Sequence, residues 1–531
     1  MLYYFVYILL ISYTLVVSKR ALHMLQQNLY NENNRYLKWV FKNLNTTIIN
    51  VSILSIFTAI VILLTNSEFI VNLLLFVLMC IYLVSYFKER KISLKNQNKK
   101  PLVYTKRVKR LIFTLTILYL LPILFSFIFV EYKNMFLLLL TIFSGLSFYT
   151  VFLAMLLNHP IERIRYHHFE TMAKNKLNSM KNLKIIGITG SYGKTSSKNI
   201  LNDILSIKFN TLATPKSINT FNGLMTVVNN KLSKFDDVFI AEMGAYVKGE
   251  INGLCDLINP KYGIITSIGT AHLQTFGSEE AIQSGKMELI EHLPHDGVGI
   301  LNGDDLKQVN YKLKNNCKVI WIGIDNKNVD VRASNIKIEG LKTTFDIKFK
   351  NDNKKYKFET KLLGKHNVYN ILSSVALGYE FGISIKDLQL AVKRVKPIEH
   401  RLEIKRIGKF CQIDDAYNSN PVGAKGALDV LGTIDGYRVV VTPGMIELGK
   451  KEYDLNKEFG KQISQVADLV ILIGKKQTKP ILDGLKESNY PNDKIKILND
   501  VRESYILINN LNVKKDVYAL YENDLPDTYN E

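Results

Sequence analysis

Residues 187–198 read GITGSYGKTSSK. A glycine-rich run closing on Lys-Thr can aim several backbone N–H groups and a helix N-terminus at one point, which is how phosphate oxyanions are held. In such a loop Lys194 reaches the β- and γ-phosphates and Thr195 offers its hydroxyl to Mg²⁺. Gly190, Ser191, Gly193 and Ser196 complete the candidate ATP-binding loop. The strict G-x-x-x-x-G-K-[ST] pattern is not met, because Ile188 stands five positions before Gly193. What remains is the shorter G-x-x-G-K-T, opened by Gly190.

A loop of this kind needs a strand before it and a helix after it. LKIIGIT is a short β-branched apolar run, and a helical pattern follows from about Lys198 to Ile207. Further on, VFIAEMGAYVKGEI places Glu242 at the end of an apolar strand, IITSIGTAHLQTFGS places His272 after another, and AIQSGKMELI places Lys286 in a helical segment. Polar groups at such strand ends gather at the carboxyl edge of a parallel sheet, where open α/β sheets bind their ligands.

The stretches GITGSYGKTS, TPKSINTFNG, AEMGAYVKGEI, SIGTAHLQTFGS, SGKMELI, LPHDGVGILNGDD, GKHNVYNILSSVALG and RLEI…IDDAYNSNPVGAKGAL follow one another in this order over roughly residues 183–450. This ordered set resembles the Mur ligases, and among them the branch that adds D-alanyl-D-alanine to a muramyl peptide. The resemblance implies that Glu242 is a Mg²⁺ ligand and that His272 helps to hold a second Mg²⁺. It also implies that Lys286 is carbamylated and so becomes an anionic metal ligand. His366 and Asn367 are implied to border the adenine, Arg401 to contact ATP from a domain junction, and Asp415 to meet the ribose or phosphates. Lys194, His272 and Lys286 are then the catalytic set, with ATP and Mg²⁺ as cofactors. The implied reaction activates an acceptor carboxylate as an acyl phosphate, which the amine of an amino acid or dipeptide attacks. The acceptor is a muramyl peptide, nucleotide-linked or lipid-linked.

The first part of the chain has a different composition. Windows near 1–17, 46–64, 69–87, 111–130 and 135–157 are almost free of charge and long enough to cross a hydrocarbon core of about 30 Å. They predict five membrane spans over 1–157, followed by an amphipathic connector over 158–182 with Ile161, Ile164, Phe169 and Met172 on one face. The segments 18–45 and 88–110 are rich in Lys and Arg, whereas 65–68 and 131–134 are not. That asymmetry predicts an outside N-terminus, a multi-pass protein of the cell membrane, and cytoplasmic catalytic domains. Much of the net charge of +21 sits in these loops, so it reads as attraction to a lipid surface and not to nucleic acid. The four cysteines are scattered without ligand spacing, so neither a disulfide framework nor a zinc site is indicated.

The predicted fold is therefore an α-helical transmembrane region followed by α/β domains. These are a phosphate-loop central domain over 183–399 and a smaller Rossmann-like domain over 400–531, with strands near 410–414, 437–442, 469–474, 494–498 and 516–521. PGMIELGKKE, at 443–452, also resembles a family stretch. Two departures from the family stand out: the N-terminal uridine-nucleotide-binding domain is replaced by apolar windows, and the chain ends YALYENDLPDTYNE where a Lys-Gly-Ser-like turn is usual. A ligase of an envelope polymer such as poly-γ-glutamate is an alternative reading, disfavoured by the DDAYNSNP motif. An ATP-driven transporter or sensor is another. It is disfavoured because the apolar windows carry no ionisable residue at their centres.

Overall fold

The computed structural model describes residues 2–28, 30, 34–47, 50–95, 101–339, 341–416, 419–446, 448 and 451–523. The chain divides into two compact units, Met1–His168 and Phe169–Glu531.

Among the described residues of the first unit the regular elements are all helices. Three of its helices, Leu2–Gln27, Glu68–Ile92 and Lys106–Ile128, are long and apolar enough to cross a membrane. Among the described residues these three helices, or four if a bent pair counts as one span, have the length and composition to cross a membrane, whereas the windows 46–64 and 135–157 do not each coincide with one unbroken helix of that length. Helix Asn50–Leu64 has 15 residues, below the roughly 20 that a span requires. The last window is divided between Lys133–Gly145 and Ser147–Ser179, which meet at 95°. Gly145 lies at that break, where a Cβ would approach Ser52 Cβ to 3.2 Å. Small and hydroxylated side chains bind these helices to one another: Thr14 Oγ1 donates to Ser144 Oγ (2.9 Å), and the Ser18 and Tyr119 hydroxyls share a hydrogen bond. The expected connector is the latter part of helix Ser147–Ser179 and the turn after it. Ile161, Ile164, Phe169 and Met172 all remain exposed there.

The second unit contains two sheets. Strands β1 (Lys184–Thr189), β2 (Thr211–Ala213), β3 (Val238–Glu242), β4 (Tyr262–Ile265), β5 (Val298–Asn302), β6 (Lys318–Gly323), β7 (Val331–Glu339), β8 (Lys342–Phe349) and β9 (Lys355–Thr360) form the first, in the order β2-β3-β1-β4-β5-β6-β7-β8-β9. Neighbours from β2 to β7 pair in parallel, and β7, β8 and β9 form an antiparallel meander. The pleat sends alternate residues to opposite layers. Val238 and Ile240 of β3 join Ile200, Leu201 and Val375 in one core, while Phe239 and Ala241 join Leu254, Met287 and Leu289 in the other. A sheet covered on both faces explains the continuous apolar runs of β1 and β3. The meander instead buries every second residue of β8, which reads as a one-sided strand.

The second sheet comprises β10 (Glu403–Ile407), β11 (Phe410–Asp415), β12 (Tyr437–Thr442), β13 (Leu469–Ile473), β14 (Ile495–Leu498) and β15 (Val517–Glu522), in the order β10-β11-β15-β12-β13-β14. Its five parallel strands lie where the sequence places them, and β10 adds an antiparallel edge. The C-terminal motif YALYENDLPDTYNE lies, from residue 524 onward, outside the described residues. So do Tyr417 and Asn418 of DDAYNSNP, and Glu447, Gly449 and Lys450 of PGMIELGKKE.

Candidate active site

β1 and the helix Lys194–Leu205 meet at the glycine loop. The helix starts at Lys194, four residues earlier than its apolar pattern suggests, because Gly193 sits in the left-handed region (φ 81°) and turns the chain directly into it. Gly190 has φ 150°, and a Cβ there would lie 2.0 Å from Thr266 Oγ1, so only glycine lets the loop close on the segment after β4. That segment pins the loop: Ser191 N donates to Ser267 O (2.7 Å), Ser191 Oγ to Gly269 O (3.2 Å), and Thr266 Oγ1 to Tyr192 O (2.6 Å). The Lys194 ammonium donates to the Gly190 and Ser191 carbonyls at 2.7 and 3.3 Å. Burial lowers its pKa, Glu242 opposes that shift, and the positive charge of Arg401 adds to it. Ser196 is buried in the first turn.

Glu242 ends β3 and is 1% exposed. Its Oε2 accepts from Thr195 Oγ1 (3.0 Å) and from Lys198 Nζ (3.0 Å), and its Oε1 accepts from Asn219 Nδ2 (3.1 Å). Lys198 is fully buried and also donates to the Lys216 carbonyl. A buried ion pair is tolerable only when its remaining polar atoms are also bonded, and here they are. Sequence reasoning did not single out Lys198 or Asn219. The signal was present: Lys198 follows Thr195 by three residues, which puts both on one helix face, and Asn219 lies within the TPKSINTFNG stretch.

Lys286, in helix Glu279–Glu291, is 1% exposed. Its ammonium donates to Ala245 O (3.2 Å) and lies 5.3 Å from the Phe276 ring centroid. Burial above all, then the charge of Lys194, brings its pKa down to about 7 against the pull of Glu250 and Glu288. His272 adopts a left-handed backbone (φ 62°) with its ring 4.5 Å from that of Tyr246. Burial, Lys286 and Lys194 lower its pKa. Lys286 thus senses the charge of Lys194, and His272 that of both lysines, so a polyanion bound here would relieve the repulsion.

The expected adenine border divides. His366 is exposed, with its ring beside Gly364 and Gly426. Asn367 is buried and its amide is engaged: Nδ2 donates to Leu363 O (2.8 Å) and Oδ1 accepts from Asn370 Nδ2 (3.3 Å). Asn370 Oδ1 in turn accepts from Ser197 Oγ (2.7 Å), which ties this helix to the phosphate loop. Arg401 acts electrostatically on Lys194 and Asp415. Asp415, at the end of β11, accepts from Leu402 N (3.2 Å). Burial brings its pKa up to about 6 despite Arg401. Its neighbour Glu522, at the end of β15, accepts from Ser419 Oγ (2.6 Å) and is raised by burial and by Asp415. The Asp415 and Glu522 carboxyls lie within hydrogen-bonding reach of each other, so a proton on one is shared with the other. Sequence reasoning missed this pair because its members are about a hundred residues apart.

The oxygen donors at Thr195 and Glu242 suit Mg²⁺, a hard cation that commonly takes one or two carboxylates together with substrate phosphates. Among the described residues no group of three or more His, Cys, Asp and Glu could hold a metal ion by itself.

The family description "Mur ligase middle domain" matches residues 188–378, and "Mur ligase, glutamate ligase domain" matches 400–518. The UDP-N-acetylmuramoyl-tripeptide–D-alanyl-D-alanine ligase of Bacillus subtilis is 34% identical over 302 residues, covering 55% of this chain and 63% of the relative. The enzyme of that name from Escherichia coli is 30% identical over 296 residues, covering 55% and 65%. The chain therefore spans less than two thirds of the length of these relatives. The crystal structure of MurF from Acinetobacter baumannii superimposes with a TM-score of 0.60 at 25% identity, covering 67% of this chain and 77% of that one. With two consecutive family domains matched in order, and with the loop, strand-end carboxylate and buried lysine in place within the first, the chain belongs to the Mur ligase family.

Proposed function

We propose that this protein is an ATP-dependent ligase that joins the carboxylate of a muramyl-peptide acceptor to the amine of an amino acid or dipeptide of the D-alanyl-D-alanine kind, in peptidoglycan precursor synthesis. The supporting observation is the convergence of Lys194, Thr195 and Glu242 with a buried Lys286 whose amine is brought down to about 7. A carboxylate does not condense with an amine in water. Transfer of a γ-phosphoryl group to the carboxylate releases ADP and leaves an acyl phosphate; attack by the amine then forms the amide and expels phosphate. In that sequence Lys194 and the loop N–H groups stabilise charge on the transferring group, and the rigid loop aligns it with the acceptor.

Thr195 and Glu242 are the residues that would hold one Mg²⁺, with Lys286, as its carbamate, and His272 at a second. Bound Mg²⁺ supplies neutralisation of phosphate charge. His366, Asn367, Arg401 and Asp415 are proposed to line the nucleotide, with Arg401 and Asp415 contributed from the second sheet's side. The domain limits 183–399 and 400–531 are proposed with them. The apolar helices are proposed to hold the enzyme at the cell membrane with its catalytic unit on the cytoplasmic side, next to a lipid-linked acceptor.

The test is to incubate the purified full chain with ATP, candidate acceptors and candidate amines, and to identify the product by mass. ADP should form only when acceptor and amine are both present. Lys194→Ala should lower turnover by about 10²–10³-fold, the cost of losing one aimed electrostatic donor. Near-normal turnover in that variant would remove the loop from the mechanism.

A further inference from the structure

Residues 1–187 precede the first family match, and the unit that they largely form contains a groove of about 290 Å³. Leu10, Leu15 and Leu22 of the first helix and Leu115 and Thr116 of helix Lys106–Ile128 form its walls. From Leu10 to Leu22 it follows twelve residues of helix, about 18 Å, close to half of the ~30 Å hydrocarbon thickness.

The groove has a cationic end. Lys19 lines it and is exposed, with no hydrogen-bond or ion-pair partner among the described residues. Neighbouring cations are engaged: Arg20 pairs with Glu89 (3.2 Å), and Arg110 Nε donates to Glu162 (2.7 Å). Tyr104 also lines the groove, and Gln26 Nε2 donates to Val103 O (2.9 Å), which brings the segment leading into KRVKR against the end of the first helix. Among the described residues that line the groove none is acidic. An apolar channel one leaflet deep with an uncompensated ammonium near its mouth complements an amphiphile that has a long hydrocarbon tail and a phosphate head.

We infer that this groove binds the polyprenyl chain of a polyprenyl-phosphate-linked acceptor, with Lys19 against the phosphate. This rests on the reading of the acceptor as lipid-linked, and it assigns that lipid a place on the protein. Holding the acceptor's tail on the chain that also carries the ligase domains raises its effective concentration, which reaches the mM range for short tethers.

The test uses the full chain in phosphatidylcholine nanodiscs with a photoreactive polyprenyl phosphate and neither ATP nor amine, so that its outcome does not depend on ligation. Label should map to residues 10–22 and 112–120, and unlabelled polyprenyl phosphate should compete at least tenfold better than phosphatidic acid. Lys19→Ala should weaken binding about fivefold, the worth of one basic residue near an anionic head. Thr116→Trp, which fills the groove from an exposed position, should weaken it at least tenfold. Equal competition by phosphatidic acid, or label mapping elsewhere, overturns the inference whether or not the variants fold. If the wild type prefers lipid-linked acceptors in turnover yet Thr116→Trp binds the probe normally, the groove is excluded while the lipid-linked reading stands.

Discussion

An amine with a pKa of about 7 is neutral half of the time at neutral pH, and only a neutral amine can take up CO₂. Lys286 meets that condition because burial and Lys194 both disfavour its ammonium. Lys286→Ala should therefore lower turnover by at least 100-fold, with partial recovery on adding acetate or propionate to replace the missing carboxylate. An uninhibited variant would rule out this lysine as the source of a metal ligand. Glu522 offers a test in the other direction. Its folded pKa and that of Asp415 are raised, so the folded state favours protonated carboxyls. The pair costs nothing only well below the unfolded carboxyl values of about 4, where both states are protonated. The penalty grows as pH rises toward the folded value of about 6 for Asp415 and persists above it. In Glu522→Gln the Ser419 bond is kept and the new amide can donate to Asp415, so stability should rise by about 1–2 kcal/mol at pH 7.5. Melting temperatures of the full chain at pH 7.5 and 4 decide this; an equal gain at both would show that proton sharing is not the cause.

At the scale of elements, the junction between β1 and the helix that follows it depends on Gly190. An added methyl group would collide with Thr266 Oγ1, and the left-handed backbone would add strain of about 1–3 kcal/mol. Gly190→Ala should reduce ATP binding at least tenfold by calorimetry while far-ultraviolet circular dichroism is retained. Gly253, inside helix Glu250–Ile258 with nothing within 4 Å of an added Cβ, is the control, and Gly253→Ala should leave binding unchanged. Strands such as Val238–Glu242 were legible because a buried strand must be an apolar run. The β8–β9 meander and β10 were not, since their one-sided patterns are also compatible with exposed loops and their pairing is non-local.

At the scale of the whole molecule, the apolar unit and the catalytic unit make a joint prediction about substrate form. With the full chain, kcat/KM for a lipid-linked acceptor should exceed that for its nucleotide-linked counterpart by at least tenfold. In a variant lacking residues 1–158 that preference should collapse. Equal preference for the nucleotide form in both proteins would reduce the helices to a localisation device. Their number also bears on topology. Composition alone marks five windows, yet among the described residues a 15-residue helix and a 95° break leave three helices of spanning length, or four with the bent pair. Hydropathy cannot register where a helix stops, because Gly145 and Leu146 are as apolar as their neighbours.

The sequence by itself determined the order of the motifs, the strand-loop-helix that carries Lys194 and Thr195, the strand end at Glu242 and the helix that carries Lys286. All of these are local, since each depends on residues within a few positions of one another. Tertiary structure decided what these groups meet. Lys198 buried against Glu242, Asn370 linking Asn367 to Ser197, and Asp415 facing Glu522 are separated by 44, 173 and about a hundred positions. It also set the pKa of Lys286, because desolvation depends on the atoms that fold around an amine and no stretch of neighbouring sequence records them.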